Sequence, residues 1–470
     1  MSNPQTAVGD QTNLPLIAAI VGVATIGGFM FGYDSGAING TQVGLQTAFG
    51  LSDAALGQLV SSLLLGCATG AFIAGRLADV MGRRMVMMAA AVLFTLSALG
   101  AGAAQSAGVF AAFRFLAGAA VGAASVLSPA YIAEVTPASI RGRLSSVQQI
   151  MIITGLTGAF VANYVLAQWA GNSLQILHGY AAWRWMFWVQ AIPALLFLGT
   201  LLVIPESPRF LVSKGRLVEA EAVMARLFGA AAARTKVLEI NNSLVADHRP
   251  TFRDLLDRGT GRVRPIIWVG IGLAVFQQLV GINVVFYYGA ILWQAVGFSE
   301  ADSFKVNIIS GTVSIVACLI AVLAVDRIGR KPMLLIGSVG MAITLAMLTF
   351  CFTQGVFIHG KLQLPGGIAT FALLSANAYV VFFNFSWGPV MWVMLGEMFP
   401  NQIRGSALAV AGAAQWLANY AISSSFPPAA KTLGLPVTYG FYTICAALSA
   451  IFVLRMVKET KGMELEDMAG

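Results

Sequence analysis

Two charged side chains stand inside otherwise apolar stretches: Asp34 in GGFMFGYDSGAING and Arg114 in VFAAFRFLAGAA. A lone charge at the centre of a membrane span costs about 2.5–3.5 kcal/mol on insertion scales, so such residues pair or work. Asp34 falls 18 residues into an apolar run that starts near Leu16, and Arg114 five residues into an oppositely directed run from near Val109. At about 1.5 Å per residue both reach the same half of a bilayer, where acid and guanidinium can meet. An acid whose proton affinity changes as its partner comes and goes can carry a proton across. A purely structural ion pair is the alternative.

A second constellation is neutral. The stretch FQQLVGINVVFYY holds Gln277, Gln278, Asn283 and Tyr287, and Gln149, Trp392, Gln415, Trp416 and Asn419 also lie in apolar runs. On an ideal helix five residues turn by about 140°, so Gln278 and Asn283 share a face only if the helix breaks near Gly281. A break of that kind frees backbone groups for a ligand. Amides exchange hydrogen bonds with hydroxyls, and flat indoles cover a C–H face, so the set suits a neutral polyhydroxylated molecule such as a monosaccharide. Amides that merely join helices are the competing explanation.

A third constellation is repeated. GRLADVMGRR carries Asp79 and Arg83, and AVDRIGRK carries Asp326 and Arg330 at the same spacing. Glu134 precedes Arg141-Gly142 as Glu397 precedes Arg404-Gly405. Matching charge patterns imply a duplicated unit, and repeats with a site at their interface are a common plan of secondary transporters. Acids and arginines at facing helix ends are expected to form salt bridges between the two halves, holding one conformation shut. Anchoring of helix ends in lipid headgroups is the simpler alternative.

These residues must be positioned by membrane helices. Of 470 residues, 58% are hydrophobic and 10% charged, against about 25% charged in soluble domains; a water-soluble enzyme is excluded. Apolar runs near 16–40, 56–75, 85–104, 109–132, 144–168 and 183–204 are followed by a polar insert and then by runs near 264–294, 304–325, 332–353, 367–395, 405–427 and 437–457. The fold class expected is an all-α membrane protein of twelve spans in two six-helix bundles. The division is 1–204, a helical insert at 205–262, and 263–470. The insert, with Leu217, Ala220, Met224 and Leu227 on one helical stripe, is expected to form two to four short amphipathic helices.

Of 28 Lys and Arg, four (Arg184, Lys305, Lys361, Lys431) fall on the side away from the termini and Arg114 lies within a span, leaving 23 on the side of the termini and insert. By the positive-inside rule that side is cytoplasmic, and the net charge of +8 requires no nucleic acid. The N-terminal stretch carries no basic region or cleavage site of a removable signal. Cys67, Cys318, Cys351 and Cys445 stand singly, and His178, His248 and His359 fall in loops or the insert. No catalytic or metal constellation follows, so neither enzyme activity nor a cofactor or metal is expected.

The same stretches resemble the sugar porter family of the major facilitator superfamily: GRLADVMGRR, SPAYIAEVTPASIRG, PESPRFL, FQQLVGINVVFYY, DRIGRK, SWGPVMWVMLGEMFPNQIRG and AAQWLANY. The likeness spans nearly the whole chain and is greatest to bacterial proton-linked pentose and hexose carriers. It implies two six-helix domains rocking about a central site. It also implies sugar contacts at Gln149, Gln277, Gln278, Asn283, Trp392, Gln415 and Trp416, and pocket positions at Phe31, Tyr287 and Gly388. Asp34 and Arg114 match the proton-coupling pair of the family's symporters. Import of a monosaccharide with a proton is therefore expected. A sugar uniporter in the same fold is the alternative, and a non-transporting sugar receptor a remote one. The expected location is the inner membrane, multi-pass with both termini cytoplasmic. The partners are then sugar, proton and lipid bilayer, without an obligatory protein partner. Two departures stand out. Ser314 occupies a sugar-site position where relatives carry asparagine, and Lys458 replaces a proline, which is expected to let the last helix run on slightly.

Overall fold

Inside a bilayer no water satisfies backbone N–H and C=O groups, so a spanning segment must bond to itself as a helix. The computed structural model describes residues 12–246, 255–256, 261–358, 361–400 and 403–461, without the side chains at 138–146, 243–246, 357–358 and 361–362. All twelve expected spans are helical. Nine are single helices: α1 (Leu14–Phe49), α2 (Asp53–Met81), α3 (Arg83–Ala103), α4 (Ala107–Val135), α5 (Ala138–Ala170), α13 (Glu300–Ile328), α14 (Arg330–Thr353), α17 (Arg404–Thr432) and α18 (Leu435–Met456). Three comprise two helices each: α6 (Ala182–Trp188) with α7 (Ala191–Leu201), α11 (Pro265–Leu279) with α12 (Ile282–Ala295), and α15 (Gly366–Phe385) with α16 (Trp387–Met398). Eleven of the twelve spans are long and apolar enough to cross a membrane by length and composition. The exception is α17, which carries Gln415, Asn419 and Ser423, all buried.

Of the breaks, sequence reasoning anticipated the one at Gly281, which has φ 81° and ψ 20°. The tenth run, expected to be continuous, is interrupted at Ser386 (φ −129°, ψ −87°), whereas the sixth only tightens into a turn at Val189–Gln190, whose backbone stays right-handed helical. Apolar periodicity does not register a local backbone turn that changes no residue's polarity. The helices also outrun the apolar runs: α1 continues to Phe49, nine residues beyond Gly40.

Two six-helix bundles result. In the first, α1 packs on α5 and α2 on α4; in the second, α14 packs on α15 and α18, and α11 on α17. The bundles meet where α2 lies against α17, α5 against α13, and α1 against α12. The contact of α1 with α5 is close: a Cβ on Gly32 would stand 1.7 Å from the Ile152 carbonyl oxygen.

Within the insert three helices are described, α8 (Pro208–Ser213), α9 (Leu217–Phe228) and α10 (Ala230–Ala246). Ala220, Met224 and Leu227 are buried as the stripe predicts, whereas Leu217 at the start of α9 is exposed. Asn13 donates its amide to the Leu227 carbonyl (2.9 Å), tying the start of α1 to α9. The face bearing these elements is called the insert face below. The opposite face carries two short antiparallel hairpins, β1–β2 (Ile176–Leu177, Tyr180–Ala181) and β3–β4 (Val356–Ile358, Lys361–Gln363). His248 and His359 lie outside the described residues.

The expected extension of the last helix does not occur: α18 stops at Met456, and Val457 is extended (φ −91°, ψ 127°) and buried. The reason is a few residues on. Glu459 accepts the backbone amides of Arg330 and Lys331, each at 3.0 Å, at the N-terminus of α14. A carboxylate there meets unpaired N–H groups and the positive end of the helix dipole. The chain must leave the helix to deliver it. Burial pushes the Glu459 carboxyl up, but its backbone amide partners at Lys461, Arg330, Lys331 and Thr460 outweigh this and hold it below the ordinary glutamate value. A depressed folded-state pKa contributes stability that is fully present above the unfolded value, about 4.3, and is lost as pH falls through the lower folded value. Glu459→Gln is therefore expected to lower the thermal unfolding temperature at pH 7. It should also weaken the acid dependence of wild type below about pH 4, read by melting the purified protein in detergent across pH.

Candidate functional site

The charged pair forms. Arg114 Nη1 of α4 donates to Asp34 Oδ1 of α1 at 2.5 Å, and both residues are 1% exposed. The guanidinium carbon lies 5.9 Å from the centre of the Phe187 ring on α6. Among the described residues Asp34 Oδ2 and Arg114 Nε find no hydrogen-bond partner, so the pair is joined by a single contact rather than a two-pronged clamp. Asp34 sits two residues beyond Gly32, where α1 touches the α5 backbone. Next to it, Ser35 Oγ donates to the Phe31 carbonyl (2.9 Å) and Asn163 of α5 donates to that of Gly36 (2.9 Å). The acid is thus carried on a stretch of α1 held closely against α5.

The amides converge as the Gly281 break requires. Asn283 Nδ2 donates to Gln278 Oε1 (2.5 Å), Gln278 Nε2 to Gln277 Oε1 (3.1 Å), and Gln415 Nε2 of α17 to the same Gln277 oxygen (2.9 Å). Gln277 in turn donates to the Trp387 carbonyl (3.1 Å) where the tenth span breaks. One network therefore links α11, α12, α16 and α17. Aromatic rings border it: Phe31 and Trp416 meet edge to face with centroids 5.6 Å apart, bringing the two bundles together. Trp392 is 40% exposed. Tyr287 is buried with Ser35 and Asn419 as polar neighbours. Gln149 stands half-buried on α5.

Ser314 makes its hydrogen bonds within its own bundle. Its hydroxyl is fully buried, donates to the Ser310 carbonyl (2.6 Å) and accepts from Asn384 Nδ2 of α15 (3.1 Å). A hydroxyl is too short to reach past that neighbour. Asn384, which sequence reasoning did not single out, stands with its oxygen 3.6 Å from where a Cβ on Gly388 would lie. Its signal was the adjacency of an asparagine to Ser386, Gly388 and Trp392 in one apolar run.

The repeated charges pair within bundles rather than between them. Arg83 binds Glu134 (3.1 Å) and Asp79 (3.3 Å), and Arg330 binds Glu397 (2.7 Å) and Asp326 (3.0 Å). Only Gly82 separates α2 from α3, and only Gly329 separates α13 from α14. Each arginine therefore opens a helix beside an acid of its own bundle. The expectation of salt bridges joining the halves is corrected accordingly for these four pairs. Arg404 donates instead to the Phe399 carbonyl (3.1 Å), and the Arg141 side chain lies outside the described residues.

Three residue groups here escaped sequence reasoning. Glu206 accepts the Arg83 and Arg84 amides (3.0 and 3.2 Å) at the start of α3, as Glu459 does for α14. Ser207 donates to Glu134, as Thr460 donates to Glu397 (2.6 Å). The signal was the pair of sequences Glu206-Ser207 and Glu459-Thr460, one after each set of six spans. On the opposite face, Asn39 donates to the Phe286 carbonyl (2.7 Å), Gln42 to that of Tyr287 (2.5 Å), and Asn307 to Asn39 Oδ1 (2.8 Å). Lys431 also pairs with Asp53 (2.5 Å) there. These contacts join the bundles. Their signal was Asn39 and Gln42 at helical spacing across the end of the first apolar run.

Among the described residues no group of three or more His, Cys, Asp or Glu is placed to hold a metal. Residues 20–470 match the sequence model of the family described as "Sugar (and other) transporter". The chain belongs to this sugar transporter family of the major facilitator superfamily. Its members are membrane transporters, not enzymes. It is 47% identical over 469 residues to a glucose transport protein of Synechocystis sp., covering 99% of this chain and 100% of that one. It is 40% identical over 491 residues to the D-xylose–proton symporter of Escherichia coli, covering 97% and 96%. The structure of the proton:xylose symporter XylE bound to 6-bromo-6-deoxy-D-glucose matches with a TM-score of 0.80 at 38% identity, covering 97% of this chain and 99% of that one. The twelve-helix transporter fold and a multi-pass membrane protein are thereby established.

Proposed function

We propose that the protein imports a monosaccharide together with a proton by alternating access. The observation that carries this reading is the buried Asp34–Arg114 pair on the helix whose Phe31 meets Trp416 of the other bundle. A proton-accepting acid and a hydroxyl-binding amide network then share one moving interface. The relatives support it: one is a D-xylose–proton symporter and another a glucose transport protein.

In this reading Gln149, Gln277, Gln278, Asn283, Asn384 and Gln415 hold the sugar hydroxyls. Phe31, Tyr287, Trp392 and Trp416 cover its ring, Gly388 leaves room, and Ser314 orients Asn384. Asp34 carries the proton, and Arg114 takes over the carboxylate when the proton leaves. The pairs of Arg83, Glu134, Arg330 and Glu397, with Asp79 and Asp326, brace the insert-face ends of each bundle. Arg141 and Arg404 extend that ring of charge. The division into 1–204, 205–262 and 263–470 gives two rocking bundles and a linker. We place the protein in the inner membrane with the insert face in the cytoplasm, because 23 of 28 cationic residues belong to that side.

The test is sugar-induced alkalinisation of lightly buffered, de-energised cells expressing the protein, run over glucose, xylose, galactose and inositol beside empty-vector cells. A pH rise with one sugar is expected. Exchange of labelled sugar without any pH change would instead make the protein a facilitator.

A further inference from the structure

The break in the seventh span shifts backbone hydrogen bonds on both sides of Gly281, and the Val280 carbonyl loses its helical donor. Val284 donates its amide to the Gly281 carbonyl (3.1 Å), one residue short of the Val280 carbonyl that a continuous helix would offer it. Gly281 donates back to Gln278 (2.9 Å). A carbonyl left without a partner in a bilayer is strongly disfavoured. Tyr379 of α15 meets it: the phenol donates to the Val280 oxygen at 2.8 Å, from a side chain that is fully buried. On α18, Tyr442 presses its ring against Gly281, where a Cβ would come within 2.7 Å of a ring carbon. The break is therefore gripped by two tyrosines of its own bundle. Beyond it α12 is bound at Phe286, Tyr287 and Ala290 to α1 of the other bundle, through Asn39 and Gln42.

We propose that Tyr379 is a positioning residue for the ligand site. Its hydrogen bond to the Val280 carbonyl fixes the Gly281 break at the angle where Gln278 and Asn283 meet. It acts through the backbone, whereas Gln278 and Asn283 act on the ligand. The chemistry selects this tyrosine over its neighbour, because Tyr442 contributes a ring surface and Tyr379 contributes a donor. The proposal rests on reading the amide network as the sugar site, so its test needs one readout that involves no sugar.

Two measurements are made on wild type, Tyr379→Phe and Tyr442→Phe. The first is initial uptake over a range of sugar concentrations. Tyr379→Phe is expected to raise the half-saturation concentration about tenfold, the size of one buried carbonyl losing its donor, with a maximal rate close to wild type. Tyr442→Phe keeps its ring and is expected to match wild type. The second is the distance between spin labels at Trp268→Cys and Ala295→Cys, exposed positions on α11 and α12 to either side of the break; the four native cysteines are buried. Tyr379→Phe is expected to add a longer-distance population in the absence of sugar. Unchanged half-saturation with unchanged distances overturns the proposal, as does an equal effect of Tyr442→Phe. A fall in maximal rate with unchanged half-saturation also overturns it. A distance change in a protein that moves none of the sugars supports the pin and removes the sugar reading instead. If Tyr379→Phe does not accumulate in the membrane, Tyr379→Met, which also lacks a donor, is measured against the same outcomes.

Discussion

Asp34→Asn is expected to abolish uphill sugar accumulation while leaving exchange of labelled sugar across the membrane measurable. The carboxamide keeps the size of the acid and an oxygen for Arg114, but it cannot take up a proton. A membrane potential supplies about 2.3 kcal/mol per charge per 100 mV, and about 1.4 kcal/mol is a factor of ten. One proton per sugar thus sustains roughly 50-fold accumulation under that potential, and the variant should fall to about equality inside and out. Exchange should slow, because Arg114 is left as a buried cation facing a neutral group, but it should not vanish. The measurement is steady-state accumulation of labelled sugar in energised cells, with counterflow in vesicles beside it. Accumulation retained by Asp34→Asn would exclude this acid as the proton carrier.

Gly32→Val should be the most damaging small substitution in the first bundle. The added Cβ would stand 1.7 Å from the Ile152 oxygen, 2.7 Å from its carbonyl carbon and 2.8 Å from the Leu156 nitrogen. All three are backbone atoms of α5 and cannot rotate away. Relief requires α1 to lift off α5, and that displaces Asp34 on the next half-turn from Arg114. The loss should exceed the roughly 1–3 kcal/mol usual for overpacking, and most of the protein should fail to reach the membrane folded. Gly22→Val on the same helix, with no described atom within 4 Å of its Cβ, is the control and should behave as wild type. Fluorescence-detected size-exclusion of both variants tests this, and a monodisperse Gly32→Val peak at wild-type yield would contradict it.

The contrast between these two predictions marks how far the primary structure reaches. Asp34 and Arg114 were legible because a charge within an apolar run is costly and so stands out one residue at a time. Their pairing was legible because helix rise alone places them at one depth. The Gly281 break could be argued because Gln278 and Asn283 cannot share a face without it. Gly32 could not be distinguished from Gly22 by the same reasoning. Both lie in one apolar run, and only the approach of α5 makes one indispensable and the other free. Ser386 and Val189–Gln190 were equally silent, since a backbone turn need not alter the polarity of the residues that make it.

What the amino-acid sequence determined by itself was therefore what is set by transfer from water to lipid: twelve helices, the duplicated plan and the exceptional charges. Such terms depend on each residue's own chemistry and on helical geometry. Only the tertiary structure decided which polar groups partner which. It turned Arg83 and Arg330 toward acids of their own bundles, gave Ser314 to Asn384, set Tyr379 on the Val280 carbonyl, and bound Asn39 and Gln42 across to α12. A hydrogen bond depends on distances of a few tenths of an ångström and on angle, and those are fixed by how helices pack against one another.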